Sequence, residues 1–155
     1  MLEEKKTGNP YKNDPKIIKF YEDKPKTKIK KEYLDGQAKQ WARSFIKHSD
    51  DRDDLTSTQL RRFHNDVRSV EAKVKAAISN YGEEEGFLRM LPFIKMIKSK
   101  IAYACPPKKK DRKVPIEFRN YMETMINSIE DYDDFKAFSL CFEAVVGYFY
   151  GEGGR

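Results

Sequence analysis

Few residues in this chain have the type and spacing to do chemistry. His64 lies three residues after Arg61 and four before Arg68, so on a helix the imidazole would sit between two guanidiniums. That arrangement would suit the general base of a metal-free ribonuclease. Such cleavage normally uses a second acid or base, and the other histidine, His48, precedes that helix. Two isolated histidines do not make a zinc site. Cys105 and Cys141 lie far apart, outside any CxxC spacing, and read as buried free thiols of a reducing compartment. Asp50, Asp51, Asp53 and Asp54 stand close together but lack the turn glycine and ligand spacing of a calcium loop. A solvated loop before a helix N-terminus explains them more simply. Glycine-rich phosphate loops, HExxH and GxSxG are missing. The inventory speaks against an enzyme, a metal or a cofactor, and for binding.

Charge indicates what would be bound. The 155 residues carry a net charge of +6, with a pI near 9.1 and a mean hydropathy of −0.83. Residues 55–113 hold fourteen Lys or Arg against six Asp or Glu, net +8, whereas residues 114–155 hold three against eight, net −5. A basic middle joined to an acidic end favours an anionic partner and also head-to-tail contact between copies. With no apolar run of eighteen residues and no signal-like start, the expected location is the cytoplasm.

The elements that must position these charges are helical. Leu55 to Tyr81 opens with a capping box, Thr56 as N-cap and Gln59 three residues on, and Leu55 is placed to staple onto Leu60. Leu60, Phe63, Val67, Val70, Val74, Ala77 and Tyr81 then step by threes and fours as one apolar stripe. At about 100° per residue, Arg61, Asn65, Arg68 and Lys75 gather on another side. Upstream, Ala38, Trp41, Ala42, Phe45 and Ile46 predict a short amphipathic helix within 35–47. Gly82 ends the long helix. The apolar segment Gly86 to Ala104 predicts a helix for the middle of a bundle or an interface, beginning near Leu88 or kinked at Pro92. Its cations are Arg89, Lys95, Lys98 and Lys100. Lys108 to Lys113 form a basic loop. Pro115 introduces a helix with Phe118, Tyr121, Met122, Met125, Ile126 and Ile129 on one face. Asp131, Asp133 and Asp134 precede a last helix with Phe135, Phe138, Phe142, Val145 and Phe149. Residues 1–34, with ten lysines and no sustained period, read as a mobile basic arm. The expectation is an all-α domain over 35–155, a single bundle of about five helices.

Three stretches carry a family resemblance: LTSTQLRRF (Leu55 to Phe63), KIAYA (Lys100 to Ala104) and FKAFSLCFEAVVGYFYGEGG (Phe135 to Gly154). In this order they resemble the small helical subunit of type III-A CRISPR effector complexes, the Csm complexes. The resemblance implies a non-catalytic subunit that repeats as a short filament and lines the channel where crRNA and target RNA pair, touching backbone rather than bases. It implies other Csm subunits and further copies of the chain as partners. By position it assigns Arg61, Arg62, Lys98 and Lys100 to RNA. Helical geometry adds Arg68, and loop charge adds Arg112. The long lysine-rich start and the PPKKKDRK loop depart from the family pattern.

Two other readings compete. One is a protein-binding helical adaptor or filament former with no direct RNA role, its basic face docking an acidic partner. The other is the small nuclease using His64.

Overall fold

In the computed structural model, residues 16–46 and 54–155 are described. Five α-helices follow in order: α1 Gly36–Ser44, α2 Ser57–Tyr81, α3 Glu83–Ala104, α4 Ile116–Asn127 and α5 Tyr132–Gly151, with 3₁₀ turns at Lys31–Leu34 and Lys109–Asp111. The only strand-like pairing among the described residues is an isolated antiparallel bridge between Tyr21 and Ile29. The all-α bundle expected from the periodicity is the fold.

Helix α5 forms the centre. Phe135, Phe138, Phe142 and Phe149 are at most 1% exposed, with Ala137, Cys141 and Val145 fully buried between them. Helices α1, α2 and α3 pack against it. Rings from several elements interlock around it: Phe138 stacks on Phe142 at 6.0 Å, Phe45 meets Phe118 edge-on at 5.3 Å, and Trp41 lies 4.9 Å from Tyr121. Offset and edge-on contacts of this kind add to the area term of burying large rings.

Helix α2 starts where its capping chemistry says it should. The Gln59 amide donates to Thr56 Oγ1 at 3.2 Å, and the Gln59 side chain accepts from the Thr56 amide at 3.4 Å. Leu55 and Leu60 are both buried, as the staple requires. Leu60, Phe63, Val67, Val74 and Ala77 form the inner stripe. Tyr81, counted on that stripe from the sequence, is instead 51% exposed, with the Arg89 guanidinium 3.8 Å from its ring centroid. It sits at the last turn, where the chain reverses.

The reversal is tight. Gly82, at φ 86°, connects α2 to α3 without a loop. A Cβ on Gly86 would come within 2.6 Å of the Ala77 carbonyl, so only glycine lets the first turn of α3 touch the end of α2. Of the two alternatives for α3, the start near Leu88 is corrected: the helix begins at Glu83 and continues through Pro92. Glu83, Glu84 and Glu85 suit the positive helix start. Pro92 deprives the exposed Leu88 carbonyl of its helical donor, and both residues face water, which can replace it. Nor is α3 the middle of the bundle in this chain. Phe87, Ile94, Ile97 and Ile101 are buried, but Leu88, Phe93, Met96 and Tyr103 are 50% exposed or more.

The described part of the lysine-rich start, residues 16–34, docks on the bundle although it has no period. Phe20 is 1% exposed, the Ile18 amide donates to Ser128 Oγ at 2.9 Å, and Tyr21 Oη donates to the Asp133 carbonyl at 2.6 Å. Lys26 pairs with Asp131 and, at 3.1 Å, with Asp134. Asp131 in turn caps α5, accepting from the Asp134 amide at 2.9 Å.

Gly86→Ala is expected to lower stability by roughly 1–3 kcal/mol, the typical cost of overpacking a tight contact. Urea denaturation measures it. An unchanged midpoint would mean that the α2–α3 contact is looser than described.

Candidate nucleic-acid interface

Since α2 turns its apolar stripe inward, the remainder of its circumference forms a broad outer arc. Arg61, Arg62, Asn65, Arg68, Ser69, Ala72, Lys73, Lys75 and Ala76 are all exposed. Helical geometry orders them: Arg61, Arg68 and Lys75 run along the edge toward α5, and Arg62 and Lys73 along the other edge, roughly 100° away or more. Asn65, Ser69, Ala72 and Ala76 form a floor of small side chains between these two basic rails. Arg61 and Arg68 are about 10 Å apart along the axis. Among the described residues no carboxylate pairs with Arg61, Arg62 or Arg68, while Lys75 has Glu71 at 4.0 Å.

The other sequence-assigned residues are placed differently. Lys100 lies across from the α3-side rail, 3.6 Å from Asp66, and thus continues that rail onto α3. Lys98, half-buried, donates to Asn127 Oδ1 on α4. Its neighbour Lys95 donates to the carbonyls of Ile126 at 2.8 Å and Ile129 at 3.3 Å. Both ammoniums thus sit at the carbonyl-rich C-terminus of α4, which favours cations. Burial, and secondarily the Lys98 charge, pushes the Lys95 pKa down. Arg112 donates from Nε to the Pro106 carbonyl at 2.9 Å and from Nη2 to the Pro107 carbonyl at 3.1 Å, which folds the basic loop back on itself. The structure thus brings Arg61, Arg62 and Arg68 onto one face with Lys100 at its margin, and sets Lys98 and Arg112 apart in contacts within the chain. Lys73, on the α3-side rail, was missed; its i+11 spacing from Arg62 would have found it.

His64 is half-buried, its ring 5.7 Å from that of Phe142 in an edge-on contact. Burial, followed by the Arg68 charge, lowers its pKa from 6.5. The ring is therefore neutral at pH 7 and packs as part of the wall between α2 and α5. His48 and Asp50, Asp51 and Asp53 lie outside the described residues. Among the described residues no cluster of His, Cys, Asp or Glu has the makings of a metal site, and no helix is long and apolar enough to cross a membrane. Cys105 and Cys141 are buried free thiols, and burial pushes the Cys141 pKa up to about 12.

A small all-α domain with a basic outer face is the class these features define. The sequence model of the Csm2 Type III-A family matches residues 28–154, and the chain belongs to that family. It is thus a small structural subunit of the type III-A CRISPR complex, and the other Csm subunits are its partners. No curated protein and no solved structure matches the chain.

Because the folded state holds His64 with a lowered pKa, protonation favours the unfolded chain. Its effect is negligible well above pH 6.5, and stability falls as pH drops below that value. Thermal melts at pH 7.5 and about 5.5 should show a drop in Tm that His64→Gln, which cannot titrate, reduces. An equal drop in both proteins would contradict the burial assigned to His64.

Proposed function

We propose that this subunit holds the RNA of the effector complex by its backbone, through the outer face of α2, and repeats along the complex without performing catalysis itself. The observation that carries the reading is the pair of basic rails. Arg61 and Arg68 on one edge, and Arg62, Lys73 and Lys100 on the other, flank a floor of small residues on which a phosphate chain can lie. Arg61, Arg62, Arg68 and Lys73, which have no carboxylate partner among the described residues, neutralise phosphates at little internal cost, and contacts of this type read no sequence. Both crRNA and target RNA carry the chemistry that such a face recognises. Repetition along the complex is supported by the contrast between the net +8 of residues 55–113 and the net −5 of residues 114–155, which favours unlike surfaces of successive copies meeting. The site of action is the cytoplasm, and no cofactor is involved.

A second reading has its own observation. The exposed Leu88, Phe93 and Met96 on α3 form an apolar surface that nothing else in the described chain covers. A helical adaptor or filament former with no RNA role would use that surface and leave the rails to solvent.

For single-stranded RNA, removing one cation that neutralises a phosphate lowers the slope of log affinity against log salt by about 0.7. Arg61→Ala combined with Arg68→Ala should therefore weaken binding to a single-stranded RNA and flatten that slope by roughly 1.4. Anisotropy titrations over a range of salt concentrations measure both. Unchanged affinity and slope would remove α2 from the interface, and self-assembly that sediments identically with and without RNA would favour the adaptor.

A further inference from the structure

Tyr103, in the last turn of α3, is 83% exposed, the most open of the large apolar side chains among the described residues. Its helix neighbours Ile101 and Ala104 are buried, so the backbone beneath the ring is anchored while the ring itself stands in water. A phenol exposed to this extent serves no packing purpose within the chain.

Its surroundings are basic and ordered. The Lys113 ammonium lies 5.8 Å from the ring centroid. Lys113 is fixed there by its backbone, because its amide and that of Val114 both donate to the Ala104 carbonyl, at 2.8 and 3.2 Å. The Arg112 fork on the Pro106 and Pro107 carbonyls closes the same loop. Lys100 stands one turn earlier on α3, and Lys108 and Lys110 are exposed on the loop. An open aromatic face with a cation beside it is the combination that holds an unpaired nucleotide. The base stacks on the ring and its flanking phosphates meet the cations. Bases inside an A-form duplex have both faces occupied by their neighbours, so the same ring offers a duplex little.

We propose that Tyr103 is a stacking platform for a single unpaired base of the bound RNA, with Lys113 and Lys100 contacting the phosphates beside it. The proposal rests on the RNA-binding reading of the α2 face and adds to it a point where the subunit distinguishes single-stranded or flipped-out RNA from duplex. Stacking accepts any base, so no sequence preference follows.

The test compares the full-length chain with Tyr103→Ala, Tyr103→Phe and Lys113→Ala, titrated against one short RNA as a single strand and as a duplex. Tyr103→Ala should weaken single-strand binding roughly five- to hundredfold with an unchanged salt slope, since no charge is removed, and should leave duplex binding as it was. Tyr103→Phe, which keeps the ring, should bind like the parent protein. Lys113→Ala should flatten the single-strand salt slope by about 0.7. Because the side chain is exposed, thermal melts should show all three variants folded. Equal single-strand affinity for the parent and Tyr103→Ala, or an equal weakening on duplex, would overturn the platform. So would a Tyr103→Ala variant that altered only self-association in sedimentation, since the ring would then be a protein contact. If the parent binds RNA and the Arg61 and Arg68 variants weaken it while Tyr103→Ala does not, the platform alone fails. If the parent binds no RNA, the α2 reading fails with it.

Discussion

Helix α5 carries four phenylalanines along one buried side that must leave water together, while Lys136, Leu140 and Glu143 lie exposed on its outer side. Exposing even part of that buried side would forfeit about 25 cal/mol for each Å² of apolar surface. It therefore has to be enclosed by other elements. Phe45, Phe63, Phe118 and Tyr121 supply the surrounding rings, and Phe20 adds a contribution from the N-terminal segment. The inner stripe of α2 is committed to this enclosure, and its outer arc is determined as a result. Thr56 sets where the helix begins and so its phase, which places Arg61, Arg68 and Lys75 along one edge and Arg62 and Lys73 along the other.

The net charge of +6 conceals a division of labour among the cations. Lys26 bridges the start of the described chain to Asp131 and Asp134 at the N-terminus of α5. Lys95 and Lys98 serve the C-terminus of α4, and Arg119 donates to Glu123 at 2.8 Å and to the Cys105 carbonyl at 2.8 Å. These groups tie elements together. Arg61, Arg62, Arg68 and Lys73 have no such duty among the described residues, and they share one face of one helix. A polyanion meets the second group without having to break the first.

How much of this was legible in the sequence depended on whether the signal was local. The capping box at Thr56, the stripe of α2 from Leu60 to Ala77, the face of α4 from Phe118 to Ile126 and the phenylalanine ladder of α5 rest on residues three or four apart, and the stop at Gly82 on a single glycine; each appears in the structure, while Tyr81 is exposed and Ile129 lies past the end of α4. The docking of residues 16–34 was not legible, because its contacts join positions more than a hundred residues apart, such as Ile18 with Ser128. Pro92 left the start of α3 open for a different reason: a proline removes one helical donor and crowds the carbonyl four residues back, so spacing alone could not choose between a late start and a helix running through it. The basic face of α2 followed from periodicity. The assignment of Lys98 to RNA, which the resemblance implied, could not be checked by spacing, because Asn127 comes to Lys98 only through the packing of α3 on α4.

The central claim is that the outer arc of α2 lies against RNA. Acetylation footprinting of the subunit, free and bound to RNA, followed by mass spectrometry of each lysine, tests it most directly. Lys73 and Lys75 are predicted to lose reactivity when RNA binds, while Lys136, paired with Asp133 on α5, reacts equally in both states. RNA-bound protein in which Lys73 and Lys75 react as they do in the free chain would contradict it.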